Sequence, residues 1–158
     1  MRKLIAIISV ALVVNACASY DTELSALHDN AQYIDLTDAS KKDLVDNYWQ
    51  VEFRKEPKYP VSAAKKGLSG CSELAFGINS EGKLSQVKVI KSYPEGVFDS
   101  SAAKALIYWR WTPTATNKNL QPVLTTIQLD FMLVGAKNSV EATAKCNSTK
   151  SIAAVTSN

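Results

Sequence analysis

Leu74-Ala75-Phe76-Gly77-Ile78-Asn79-Ser80-Glu81-Gly82-Lys83-Leu84-Ser85-Gln86-Val87-Lys88-Val89-Ile90 is the stretch that decides the fold. Leu74, Phe76 and Ile78 alternate with Glu73, Ala75 and Gly77, the period of two that marks a half-buried strand, expected over Cys71 to Asn79. Asn79 to Lys83 is a polar turn in which Gly82 suits a left-handed backbone. Leu84 to Ser92 is the return strand, with Val87 and Val89 on one face and Lys88 and Ile90 on the other.

Toward the C-terminus, Tyr93-Pro94-Glu95-Gly96 ends the hairpin. Phe98, Ala102, Ala105, Leu106 and Trp109 then recur at helical spacing, which predicts an amphipathic helix with Trp109 on its core face. Asp99 is placed to cap it, with Phe98 just before it as a hydrophobic staple. Trp111 is expected to cover the sheet edge, and Pro113 ends the element. A third strand follows, where Ile127, Leu129, Phe131 and Leu133 alternate with Gln128, Asp130 and Met132. Residues 135–158 are polar and are expected to be loosely ordered except around Cys146.

Toward the N-terminus, the prolines of Pro57-Lys58-Tyr59-Pro60 enforce extended chain. Val61 to Lys66 reads as a short helix between Pro60 and Gly67. Ser40 and Asp43 bracket a further helix start, with Leu44, Val45, Tyr48 and Trp49 as its apolar face. Leu24, Leu27, Ala31 and Ile34 recur at weaker helical intervals. The resulting order is helix, strand, strand, helix, strand. This predicts an α+β fold: a small three-stranded antiparallel sheet, ordered second–first–third, with a helix packed on one face.

The chain opens with Arg2 and Lys3, and Leu4 to Val14 is an apolar run interrupted by Ser9 alone. That run is shorter than the roughly 20 residues a membrane span needs, so it reads as a signal-peptide core. Val14-Asn15-Ala16-Cys17 resembles the lipobox of bacterial lipoproteins, in which the cysteine is lipidated and becomes the new N-terminus. Ordinary cleavage after Ala18 is the alternative, and would leave a soluble periplasmic protein. Ala18 rather than Asp after the cysteine implies, by that resemblance, delivery to the outer membrane. Several acyl chains on Cys17 would hold stably where one alone is marginal.

Removing residues 1–16 takes away Arg2 and Lys3 and leaves 16 basic against 15 acidic residues. A balance so close to neutral, with no Lys/Arg block, argues against nucleic acid as a partner. With Cys17 set aside, Cys71 and Cys146 remain, an even pair in an oxidising compartment and so a disulfide candidate. Two separate buried thiols are the alternative. The topology supports the bridge, since Cys71 opens the first strand and Cys146 lies within chain reach of the end of the third.

Taken together, Pro57-Lys58-Tyr59-Pro60, Ala63, Ala64, Gly70, Gly82, Ser92-Tyr93-Pro94-Glu95-Gly96-Val97-Phe98-Asp99, Ala102, Ala105 and Trp109-Arg110-Trp111-Thr112-Pro113 resemble the TonB C-terminal domain over about residues 53–134. The resemblance implies a domain that acts by protein–protein contact. In that family an extended segment of an outer-membrane transporter is bound by strand addition to a sheet edge. By position, the edge would be the third strand, with Thr125, Ile127, Leu129, Phe131 and Leu133. Pro57, Lys58, Tyr59 and Pro60 would form a loop beside the partner, although Tyr59 could equally serve as a lid on the core.

The expected layout is a signal peptide over 1–16, a lipid-anchored tether with a short helical lead-in over 17–52, the domain over 53–134 and a polar tail over 135–158. TonB itself has an N-terminal transmembrane helix and a proline-rich spacer; neither pattern appears between Cys17 and Pro57. This favours a stand-alone binding module, with structural self-association in the manner of TolA-like domains, a homodimer included, or accessory energy transduction as alternatives. His28 is the only histidine, so no metal-ligand set is expected. No nucleophile has an evident base and no phosphate loop is present, so neither enzyme activity nor a cofactor is expected.

Overall fold

A computed structural model describes residues 32–147. Cys17, the leader, His28 and the spacing of Leu24, Leu27 and Ala31 lie outside the described residues, as does the chain beyond Asn147. The elements are β1 (Ile34–Asp35), a 3-10 turn (Lys42–Asn47), β2 (Trp49–Phe53), α1 (Val61–Lys66), β3 (Gly70–Ile78), β4 (Leu84–Tyr93), α2 (Asp99–Leu106), β5 (Arg110–Pro113), β6 (Val123–Phe131) and α3 (Ser139–Asn147).

The hairpin forms as its alternation predicts. β3 pairs antiparallel with β4, and Gly82 takes a positive φ in the turn. The side chain of Asn79 ties that turn by accepting from the backbone N–H groups of Glu81 and Lys83. β6 pairs antiparallel with β3 on its other side, giving the expected order of these three strands. The sheet is larger than expected, however. β1 adds to the outer side of β6 in parallel, making a four-stranded mixed sheet ordered β1-β6-β3-β4 rather than a three-stranded antiparallel one. A second sheet pairs β2 with β5, antiparallel.

Three further expectations are corrected. Trp49-Gln50-Val51-Glu52-Phe53 alternates apolar with polar residues, and that strand pattern wins over the helical reading of Leu44 to Trp49 because β5 offers β2 a backbone partner. Only the short 3-10 turn remains of the proposed helix, leaving Leu44 exposed. Helix α2 stops at Leu106, three residues before Trp109. Trp109 is still buried, because the turn after Leu106 carries it into the core and its indole N–H donates to the Lys55 carbonyl. Asp99 is the first residue of α2 and makes no cap. Its carboxylate instead accepts from the hydroxyls of Ser72 and Ser92, pinning the helix start to the hairpin.

Order around Cys146, expected from the sequence, takes the form of a helix. Residues 139–147 form α3, docked through buried Ala142 and Cys146, with Asn138 exchanging hydrogen bonds with the backbone of Ser69. A disulfide joins Cys146 to Cys71. Cys71 lies on the opposite face of β3 from Leu74, Phe76 and Ile78, so α3 and α2 cover opposite faces of the sheet. The core lies on the α2 face, where Phe98 stacks on Phe131 and Tyr59 meets both edge-on. Trp111 is buried there and stacked on Phe76, rather than covering the sheet edge.

Candidate functional site

The third strand, proposed as the partner-binding edge, is β6. Its odd-numbered side chains face the core: Thr125, Leu129 and Phe131 are buried and Ile127 is half-buried. They are therefore unavailable as outward-facing contacts. Leu133 lies beyond the strand, its N–H donating to the Ser69 hydroxyl. What the edge offers is backbone. β1 shows the parity: the N–H groups of Ile34 and Leu36 donate to the carbonyls of Pro122 and Leu124. Even-numbered residues of β6 thus aim their polar groups outward, whereas odd-numbered residues face β3.

The lead-in covers the first half of this edge. Ile34 and Asp35 pair with Val123 and Leu124, Leu36 is buried in the core, and the Gln121 side chain donates to the Gln32 carbonyl. Thr126 is buried as well. From Ile127 to Phe131 no strand lies beside β6 among the described residues. On the α3 face, the Gln128 side-chain amide donates to the Cys146 carbonyl. The other rim of the sheet, β4, likewise has no strand beyond it among the described residues. Lys88 and Lys91 on β4 place charge along that rim, a common way to blunt an edge against pairing.

The loop proposed to flank the partner is divided in its roles. Tyr59 is a lid on the core, its hydroxyl donating to the Leu68 carbonyl while its ring packs on Phe98 and Phe131. Pro60 caps α1, whose other end closes on Gly67 in the left-handed conformation. Pro57 is half-buried and Lys58 is exposed, so Lys58 is the loop residue most open to a partner.

The lead-in contributes residues to which the sequence assigned no part in the site: Val45 and Trp49 were expected on a helix face, and Val51 carried no expectation. Val45, Trp49 and Val51 line a cavity of about 230 Å³ against Trp111, Thr125 and Ile127. The alternation in Trp49 to Phe53 was the available signal, and it was masked by helical spacing just upstream. Nearby, the Asp35 and Asp38 carboxyls are held below the usual value. Each accepts hydrogen bonds from the hydroxyl and backbone N–H two residues on, in Thr37 and Ser40 respectively. On the opposite face, a hydrogen bond to Glu141 holds the Tyr93 hydroxyl above its ordinary range.

The fold and edge define a small α+β domain whose sheet carries one partly covered edge and one lysine-studded edge. Residues 55–133 match the family described as Gram-negative bacterial TonB protein C-terminal, and the chain belongs to that family. Protein TonB of Pseudomonas aeruginosa is 33% identical over 57 residues, which is 36% of this chain and 17% of that protein. The solution NMR structure of the Pseudomonas aeruginosa TonB C-terminal domain superposes with a TM-score of 0.51 at 22% identity. That match covers 65% of this chain and 96% of the solved one, and it shows a shared fold. Among the described residues no helix is long and apolar enough to cross a membrane.

Proposed function

We propose that this chain is a non-enzymatic protein-binding module of the bacterial cell envelope that takes up an extended segment of an envelope protein on the open half of β6. The observation that carries the reading is the stretch Ile127 to Phe131, which has no strand beside it among the described residues although the parity of β6 turns backbone groups of Gln128 outward. Membership of the TonB C-terminal family supports a partner of the kind that family engages, an outer-membrane transporter or a related envelope protein. Main-chain hydrogen bonds would supply affinity and alternate side chains specificity. Lipidation at Cys17 would hold the domain at the outer membrane, with the domain itself spanning about residues 53–134.

The test is recovery of partners from solubilised envelopes on the intact protein, compared with Gln128→Pro and Gln128→Ala. Proline removes the outward N–H and leaves the bonds to β3 in place, while alanine removes the same side chain but keeps the N–H. Proline at Ile127 or Leu129 would instead break the ladder to β3, so those positions cannot separate binding from folding. Recovery of an outer-membrane protein by the parent and Gln128→Ala, but not by Gln128→Pro, is the expected result. Equal recovery by all three would overturn the edge mechanism and favour a structural role.

A further inference from the structure

We infer that the cavity between the lead-in and β6 is an anchor pocket for one aromatic side chain carrying a polar tip, tyrosine or tryptophan, borne by the extended partner segment. The inference rests on the edge-binding reading above and adds a specificity element to it.

Size is the first argument. The cavity measures about 230 Å³, below the roughly 300–1,000 Å³ of pockets that take whole small molecules. One large side chain is the better fit. The walls set the chemistry of that side chain. Val45, Val51, Trp109, Trp111 and Ile127 make them largely apolar. Among the charged residues, Lys42 stands against Asp43 and Asp46, a mixed rim that favours a neutral guest.

The second argument is an unsatisfied hydroxyl. Thr125 lines the cavity, is only 3% exposed, and its Oγ1 has no hydrogen-bond partner. A buried polar atom in that state carries a desolvation cost that a guest's polar group would relieve. Two of the three neighbouring indoles are committed elsewhere, because the N–H of Trp49 donates to the Gln121 carbonyl and that of Trp109 to the Lys55 carbonyl. A tyrosine hydroxyl or tryptophan N–H, at the end of an otherwise apolar ring, meets both demands.

The third argument is placement. Residues directly opposite each other in a sheet share a face, so a partner residue facing Ile127 points to the α2 side, where this cavity lies. The β6 residues that line it, Thr125 to Ile127, follow directly on Val123 and Leu124, where the pairing with β1 ends. Val45, Trp49 and Val51 come from chain ahead of residue 55, outside the stretch that matches the family. The lead-in therefore supplies one wall of the pocket, and the family-matching stretch supplies the rest.

The experiment titrates p-cresol, indole and toluene, side-chain analogues of Tyr, Trp and Phe, into the purified ¹⁵N-labelled intact protein. The amide signals of Thr125 and Ile127 and the indole N–H of Trp109 and Trp111 are followed. p-Cresol and indole should move these signals and bind about three- to tenfold more tightly than toluene, the span one net hydrogen bond allows. Thr125→Val should erase that preference. Val45→Trp should block all three probes, and Val51→Trp at the cavity mouth repeats the test should the first variant fold poorly. Absence of localised shifts, or binding indifferent to both filling variants, overturns the pocket while leaving the edge reading to the Gln128→Pro comparison. Probe binding combined with partner recovery indifferent to Gln128→Pro overturns the assignment of the aromatic to a strand on β6.

Discussion

Reduction of the Cys71–Cys146 bridge should lower the unfolding free energy by an amount that loop length sets. The bridge spans 75 residues, and chain entropy for a loop of that size gives about 4.5 kcal/mol at 25 °C. The loop runs from β3 into α3, so the family-matching stretch from Cys71 onward is constrained in the unfolded chain. In the native state α3 keeps its other holds: buried Ala142, the Asn138–Ser69 hydrogen bonds and the contact of Tyr93 with Glu141. The loss should therefore fall chiefly on the unfolded state. Domains of this size hold about 5–15 kcal/mol in total, so the reduced protein forfeits a third or more of its stability. Urea unfolding of oxidised and reduced protein, followed by fluorescence of buried Trp49, Trp109 and Trp111, measures it. With a denaturant slope near 2 kcal/mol/M, the midpoint should fall by about 2 M. A fall below about 0.5 M with an unchanged slope would refute the loop-closure reasoning.

Gly82→Ala should destabilise the domain by about 2 kcal/mol or more, since Gly82 sits at φ +68 and a Cβ there would strike the Trp111 carbonyl; thermal denaturation by circular dichroism checks it. Phe98→Ala should cost about 3–5 kcal/mol, because Phe98 is fully buried between Tyr59 and Phe131; urea unfolding of the oxidised variant measures it. Asp35 and Asp38 titrate below their usual 3.8 in the folded protein, so their contribution is present above that value and lost as the pH falls through their lowered folded values. An NMR titration from pH 5 to pH 2 should show the amides of Leu36 and Thr37 shifting with midpoints below 3.8. Thr37→Val, which removes the largest cause of the Asp35 shift, should raise that midpoint.

The hairpin was legible because its evidence is local. Alternation over Leu74 to Ile78 and a glycine at Gly82 specify strand and turn without reference to distant residues. The same holds for α1, set between Pro60 and Gly67, and for the apolar face of α2. The cysteine pair was legible from compartment and topology, and the bridge is there. Residues 40–53 were harder to read. Leu44, Val45, Tyr48 and Trp49 fit a helix while Trp49, Val51 and Phe53 fit a strand, and only the presence of β5 selects between them.

Local pattern was enough for the three antiparallel strands, the two flanking helices, the disulfide partners and the family, because periodicity, turn chemistry and motif order are properties of neighbouring residues. Folding alone decided that the start of the β6 edge is covered. Two residues of lead-in, Ile34 and Asp35, pair with Val123 and Leu124 from about ninety positions away. A two-residue strand carries no period to detect, and its pairing depends on where the folded chain brings it. Likewise, the Thr125 hydroxyl reads as an ordinary strand residue until the lead-in closes over it and leaves it buried without a partner.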